Sequence, residues 1–300
     1  MNRATAIGSV AVGLWALLAL FTVWSAPVPP LQLNAMAFAV GGTIGLVWVW
    51  RTGQMKALLA IPWTIYAFGT AGLFGYHFLY FSALRIAPPA QAGLIAYLWP
   101  LLIVLFSGLL PGERLTFGHV AGACLGLLGA ALIVLGSGTS AVEASALPGY
   151  GLALLCALVW SGYSVLSRTM GQVPTAAVAV FCLATAVLAS LAHVAIEDTV
   201  LPGSALGWIA VACLGAGPVG LAFYVWDIGV KQGDIQLLGT LSYAAPLLST
   251  VILVIAGISE PTWRLAGASL LITGGAVLAA RASAVAAKAS CEDHEPPGAA

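Results

Sequence analysis

The chain has 300 residues, 61% hydrophobic and 7% charged, where a soluble domain carries about a quarter charged residues. Ten basic and ten acidic side chains leave a formal net charge of +0, so no nucleic acid or other polyanion is expected as a partner. The composition excludes a soluble globular domain and makes the lipid bilayer the expected surrounding.

Crossing about 30 Å of hydrocarbon takes roughly 20 apolar residues in a helix. Ten such runs are expected, at residues 4–24, 33–50, 61–83, 89–110, 117–136, 148–166, 174–196, 206–226, 235–257 and 263–281. They are continuous and do not alternate in short pieces, so the expected fold is an all-α membrane protein and not a barrel. Arg3 before the first run and "SAP" after it resemble a secretory signal, but the length of the run favours a retained span. Trp15 and Thr22 lie seven apart on it. The second run holds Gly41 and Gly45, and the fifth Gly122 and Gly126, small-residue ridges that serve close packing within the fold or between chains. On the third run Tyr76, His77 and Tyr80 share one helix face. The fourth places Tyr97, Trp99 and Pro100 at mid-span; on an ideal helix Trp99 points away from Tyr97. Trp160, Tyr163, Ser164 and Ser167 form a polar-aromatic stripe on the sixth run, and Ser242, Tyr243, Pro246 and Ser249 fall on the ninth.

Polar groups on membrane helices are costly against lipid and turn inward. Trp15, Tyr76, His77, Tyr80, Tyr97, Trp99, Trp160, Tyr163 and Tyr243 are therefore the expected substrate-binding residues, converging on a central cavity. Such a wall suits a flat amphipathic molecule: rings stack with a substrate ring, aromatic faces attract an ammonium, and Tyr, Ser and His supply hydrogen bonds. Trp24, Trp48, Trp50, Trp63, Trp208 and Trp263, near run ends, fit an interfacial belt. His77 is a functional candidate because it is ionisable and deep in a span. His119 at the start of the fifth run, and His193 four residues before Glu197, are expected to be structural. Asp227, Lys231 and Asp234, at helical spacing near a boundary, suggest a local ion-pair cluster.

With the N-terminus in the cytoplasm, Arg3, Arg51, Lys56, Arg114, Arg168, Lys231, Arg281 and Lys288 fall inside and Arg85 and Arg264 outside, the bias expected of cytoplasmic loops. Both termini are thus expected in the cytoplasm, and the polar tail 284–300 is expected to be disordered. Cys124, Cys156, Cys182 and Cys213 lie in apolar runs and Cys291 in the tail, without C-x-x-C spacing, so neither a disulfide framework nor thiol chemistry is indicated. No Walker A loop, H-E-x-x-H, G-x-S-x-G or paired intramembrane carboxylate occurs. The expected protein is neither an enzyme nor an ATP-driven pump, and needs no cofactor or metal. Nothing in the sequence specifies an oligomeric state, and a monomer suffices.

The two halves repeat. Trp15 matches Trp160 and Trp63 matches Trp208 at an offset of 145; Arg85 matches Lys231, Gly93 Gly239, Tyr97 Tyr243 and Pro100 Pro246 at 146; "VAGA" at 120–123 matches "LAGA" at 265–268. Five spans is an odd number, so residues 1–140 and 145–283 are expected to be inverted repeats with a substrate site between them. A proline inside a helix removes a backbone bond and clashes with the preceding turn, which makes Pro100 and Pro246 the expected hinges, or else static kinks kept from a duplicated ancestor.

These paired halves, Trp15 with Trp160, and the two "Y-x-x-P" elements (Tyr97–Pro100, Tyr243–Pro246) resemble the EamA-type ten-helix members of the drug/metabolite transporter superfamily over all but the tail. The stretch "YHFLYFSALRIAPPAQAGLIAYLWPLL" at 76–102 is similar to their bacterial aromatic amino-acid exporters. The resemblance implies an inner-membrane transporter that exports aromatic or other hydrophobic amino acids by alternating access. Proton-driven relatives rely on a glutamate within a span; here Glu113, Glu143, Glu197, Asp198 and Glu260 lie in loops or at ends, so a uniporter is expected. Export of drugs or other metabolites, with proton coupling, is the alternative. A nucleotide sugar would call for interior Lys or Arg.

Overall fold

The computed structural model describes residues 1–135 and 144–292, and among them the regular structure is helical throughout. Pro30, Pro89 and Pro148 stand in the first turns of their helices, where a missing N–H costs nothing. Asn2, Ser204 and Asp234 cap helix starts by accepting from the N–H of Thr5, Gly207 and Leu237. The helices are α1 Arg3–Ala16, α2 Leu18–Trp24, α3 Pro30–Arg51, α4 Met55–Leu59, α5 Trp63–Ile86, α6 Pro89–Ala96, α7 Trp99–Ser107, α8 Phe117–Val134, α9 Leu147–Thr169, α10 Ala177–Ile196, α11 Ala205–Ala216, α12 Ala222–Gln232, α13 Ile235–Leu241, α14 Ala244–Ile255 and α15 Trp263–Glu292. A π-helical segment, Gly217–Leu221, joins α11 to α12. Among the described residues seven helical stretches are long and apolar enough to cross a membrane, and Gln91–Ser107 and Phe117–Leu132 are shorter apolar helices. α5 has the length, at 24 residues, but its tyrosines, glycines and His77 dilute its hydropathy. α15 continues past the expected end at 281, so the tail expected from 284 is helical through Glu292; its last eight residues, and Glu143 in the linker, lie outside the described residues.

The surface carries many large apolar side chains, among them Trp50, Leu59, Val194 and Leu270, while Ser161, Ser164, Thr185, Thr240 and Ser242 are buried. So apolar a surface, on helices of this length, identifies a multi-pass membrane protein. Helices of the two halves pack in pairs: α1 along α12, α5 along α9, α3 along α10 and α8 along α15. The first two pairs exchange under the sequence offset of 145–146, and each of the last two joins helices matched at that offset. Those equivalent helices run antiparallel. Leu31 of α3 bonds to Glu197 beyond the end of α10 and Gly42 lies against Leu183; in α8, Gly118 lies against Ala282 and Gly129 against Ile272. The glycine ridges serve these internal contacts: a Cβ on Gly41 would come within 2.6 Å of Gly220 Cα, and one on Gly122 within 2.6 Å of the Gly275 carbonyl.

Four stretches are broken near mid-length. α6 gives way to α7 at Tyr97–Leu98 and α13 to α14 at Ser242–Tyr243, each one turn before Pro100 or Pro246. The cause is local, because each proline lacks the N–H that would bond to Ala96 or Ser242 four residues back. α1 and α2 part at Leu17 without a proline, and the π segment contains Pro218.

Candidate functional site

The breaks surround a cavity of about 360 Å³ at the centre of the bundle, within the size range of small-molecule sites. Of the nine binding residues expected from the sequence, Trp15, Tyr76, His77, Tyr80, Tyr97, Trp99 and Trp160 line it. Trp99 is there despite its expected orientation, because the chain breaks at Tyr97–Leu98 and the ideal helical angle between the two rings no longer applies. Trp15, Trp99 and Trp160 stand steeply to one another, with centroids 6.0, 6.0 and 6.3 Å apart and interplanar angles of 85°, 75° and 90°. Tyr76 and Tyr80 are parallel at 6.1 Å.

Two expected residues are placed elsewhere. Tyr163 is not a lining residue: it lies against Gly72 and packs on Phe68 and Trp160. Tyr243 is fully buried beside Gly126, and its hydroxyl accepts the Leu101 N–H at 3.1 Å. Tyr243 therefore ties the break of α13–α14 to the break of α6–α7. Of the two prolines expected as hinges, Pro246 lines the cavity and Pro100 is buried behind it.

Phe223 of α12 also lines the cavity, stacked on Phe38 at 5.5 Å, and Trp226 packs behind it 5.1 Å from Trp15. Sequence reasoning passed over both. The signal was the aromatic spacing of "FYVW" at 223–226 on the helix whose last turn holds Lys231, the match of Arg85. Trp226 donates its indole N–H to Ser164 at 3.1 Å, which uses the polar stripe of α9 for packing and not for lining.

The lining contains no Lys, Arg, Asp or Glu. Its polar side-chain atoms belong to Tyr76, His77, Tyr80, Tyr97, Ser249 and Thr250 and to the indole N–H groups of Trp15, Trp99 and Trp160. His77 Nδ1 lies 2.7 Å from the Leu73 carbonyl; a carbonyl only accepts, so Nδ1 carries a proton, and in the neutral imidazole Nε2 is an acceptor.

Charged groups sit at the two ends of the bundle. At one end Glu197, its side chain 3% exposed, accepts from the N–H groups of Leu31 and Gln32 at the start of α3, from Arg85 at 2.6 Å, and meets His193 at 3.0 Å. His193 is thus structural, as is His119, which completes the cap of α8 with Thr116. At the other end Arg168 pairs with Glu113 and donates to the Val230 and Gly233 carbonyls. Asp227 holds Lys231 at 2.8 Å and accepts from Thr175. Asp234, expected in that cluster, instead caps α13, and its N–H donates to Thr5. Leu18, Ala19, Phe81 and Thr250 carry the cavity from the centre toward the Glu197 end.

An uncharged, ring-lined cavity amid broken membrane helices is the arrangement of a transporter of small molecules. The EamA-like transporter family model matches the chain twice, at residues 4–135 and 147–281, and the chain belongs to that family. It is 54% identical over 281 residues to the aromatic amino acid exporter YddG of Ancylobacter novellus, covering 93% of this chain and 97% of that one. It is 27% identical to the aromatic amino acid exporter YddG of Salmonella typhimurium, over 84% and 87% of the two chains. A solved crystal structure 52% identical in sequence superposes with a TM-score of 0.88, over 93% of this chain and 97% of that one.

Proposed function

We propose that the protein exports aromatic and similar hydrophobic amino acids across the bacterial inner membrane, as a uniporter working by alternating access. The observation that carries this is the cavity: seven aromatic or imidazole rings expected from the sequence converge on a space of about 360 Å³ without a charged side chain. The name of the 54% identical relative agrees with it. Ten spans in two inverted five-helix halves, residues 1–140 and 145–283 with both termini cytoplasmic, fit the antiparallel course of α3 with α10 and of α8 with α15. A repeat turned about an axis in the membrane plane gives that course, and one turned about the membrane normal does not.

In this orientation the Glu197 end faces outward, and the structure is the outward-facing state. The Arg168–Glu113 and Asp227–Lys231 pairs close the inner end. Tyr97 and Tyr243 are equivalent in the repeat but differ here, one lining the cavity and the other holding the Leu101 N–H. Alternation exchanges their roles: in the inward-facing state Tyr243 lines the cavity and Tyr97 takes the N–H of Leu247, the match of Leu101. Energy coupling by protons has no carboxylate in the cavity to act through, and Asp227 is engaged with Lys231 and Thr175.

The test is counterflow in proteoliposomes with labelled tryptophan, phenylalanine and a lipophilic cation. Exchange of both amino acids, unchanged by an imposed pH gradient, is expected. Exchange of the cation alone, or uptake driven by the gradient, refutes the proposal in favour of a drug or proton-coupled exporter.

A further inference from the structure

The cavity offers very unequal partners to the two charged ends of an amino acid. For a carboxylate there are only neutral donors, the indole N–H groups of Trp15, Trp99 and Trp160 and the hydroxyls of Tyr76, Tyr80, Tyr97 and Ser249; no cation lines the space, and Arg85, Arg168 and Lys231, the cations closest in sequence to its lining, are engaged by Glu197, Glu113 and Asp227. Broken helices elsewhere hold carboxylates with free N–H groups, but the two breaks before Pro100 and Pro246 have little to give. The N–H groups of Leu98, Leu101 and Leu102 at the first break, and of Tyr243 and Ala245 at the second, are bonded within the protein. Pro100 and Pro246 have none. The Thr250 hydroxyl donates to the Pro246 carbonyl.

For an ammonium the balance is opposite. Trp15, Trp99 and Trp160 meet as three steep indole walls, and indoles are the ring type that attracts cations most strongly. His77 adds an acceptor, since its Nδ1 proton is held by the Leu73 carbonyl and Nε2 has no hydrogen-bond partner among the described residues. An ammonium donates, and a carboxylate finds nothing at Nε2.

We propose that the cavity recognises its ligand by ring and ammonium and not by carboxylate, so that ring-bearing primary amines are also ligands while ring-bearing carboxylic acids are not. The inference rests on the transporter reading above and extends it to a second class, aromatic monoamines.

The experiment varies the ligand and leaves the protein intact. Initial rates of labelled tryptophan counterflow are measured against unlabelled tryptophan, tryptamine and indole-3-acetate, and melting of the purified protein in detergent is measured with the same three compounds. Tryptamine is expected to compete about as well as tryptophan, with indole-3-acetate at least about tenfold weaker, and tryptamine but not the acid is expected to raise the melting temperature. Competition by the acid equal to that by the amine, or failure of the amine, overturns the inference. Absence of tryptophan counterflow defeats the amino-acid reading alone; the melting arm then decides, with a shift by tryptamine only supporting the inference and a shift by both compounds or neither overturning it.

Discussion

The bond from Leu101 N–H to the Tyr243 hydroxyl, 3.1 Å long, joins the two proline-centred breaks and gives the sharpest test of alternation. Tyr243→Phe keeps the buried ring and removes the acceptor, leaving an N–H at mid-membrane depth with no partner. An unsatisfied buried donor costs about 1–3 kcal/mol, and in the proposed cycle the bond belongs to the outward-facing state, so that the cost falls on that state alone. The outward-to-inward equilibrium should drop by about 5- to 150-fold. Tyr97→Phe removes the matching acceptor from the inward-facing state and should move the equilibrium the other way. The assay is the labelling rate of Ala19→Cys, a lining position toward the outer end, by an impermeant thiol reagent in a variant whose native cysteines are serines. Slower labelling is expected in Tyr243→Phe and faster labelling in Tyr97→Phe. If both variants shift labelling in the same direction, or Tyr243→Phe leaves it unchanged, the exchange of roles is wrong.

Tyr80→Ala removes a cavity wall parallel to Tyr76 without touching the packing behind it, so tryptophan counterflow should fall by about tenfold, the loss of a ring contact and its polar tip, while the protein still elutes as a folded species on size exclusion. Glu197→Gln loses the charge that Arg85, His193 and two backbone N–H groups share; a loss of about 1.5–3 kcal/mol is expected, read as a lower melting temperature, with the competition constants unchanged. Gly229→Ala places a Cβ 2.6 Å from Gly8 Cα where α1 crosses α12. Overpacking of about 1–3 kcal/mol should follow, and since that contact lies at the Asp227 end, labelling from the cytoplasmic side should rise.

Much of the protein was legible in order of residues. Sustained apolar runs require helices that satisfy their own backbone groups in lipid, so the membrane class and the approximate helix positions follow from composition and length. The repeat, the two prolines and the aromatic faces of "YHFLY" and "YLWP" also stand in the sequence, because they depend on local spacing and on the missing N–H of proline. Tertiary structure decided which rings face the substrate. Trp99 turns into the cavity because the chain breaks two residues before it, and Tyr243 leaves the cavity because Leu101, 142 residues away in sequence, needs an acceptor. Trp226 and Phe223 join the site only through the packing of α12 against α1 and α9. Side-chain direction past a helix break, and the partner a freed backbone group finds, depend on contacts between distant segments, and linear spacing carries no record of them.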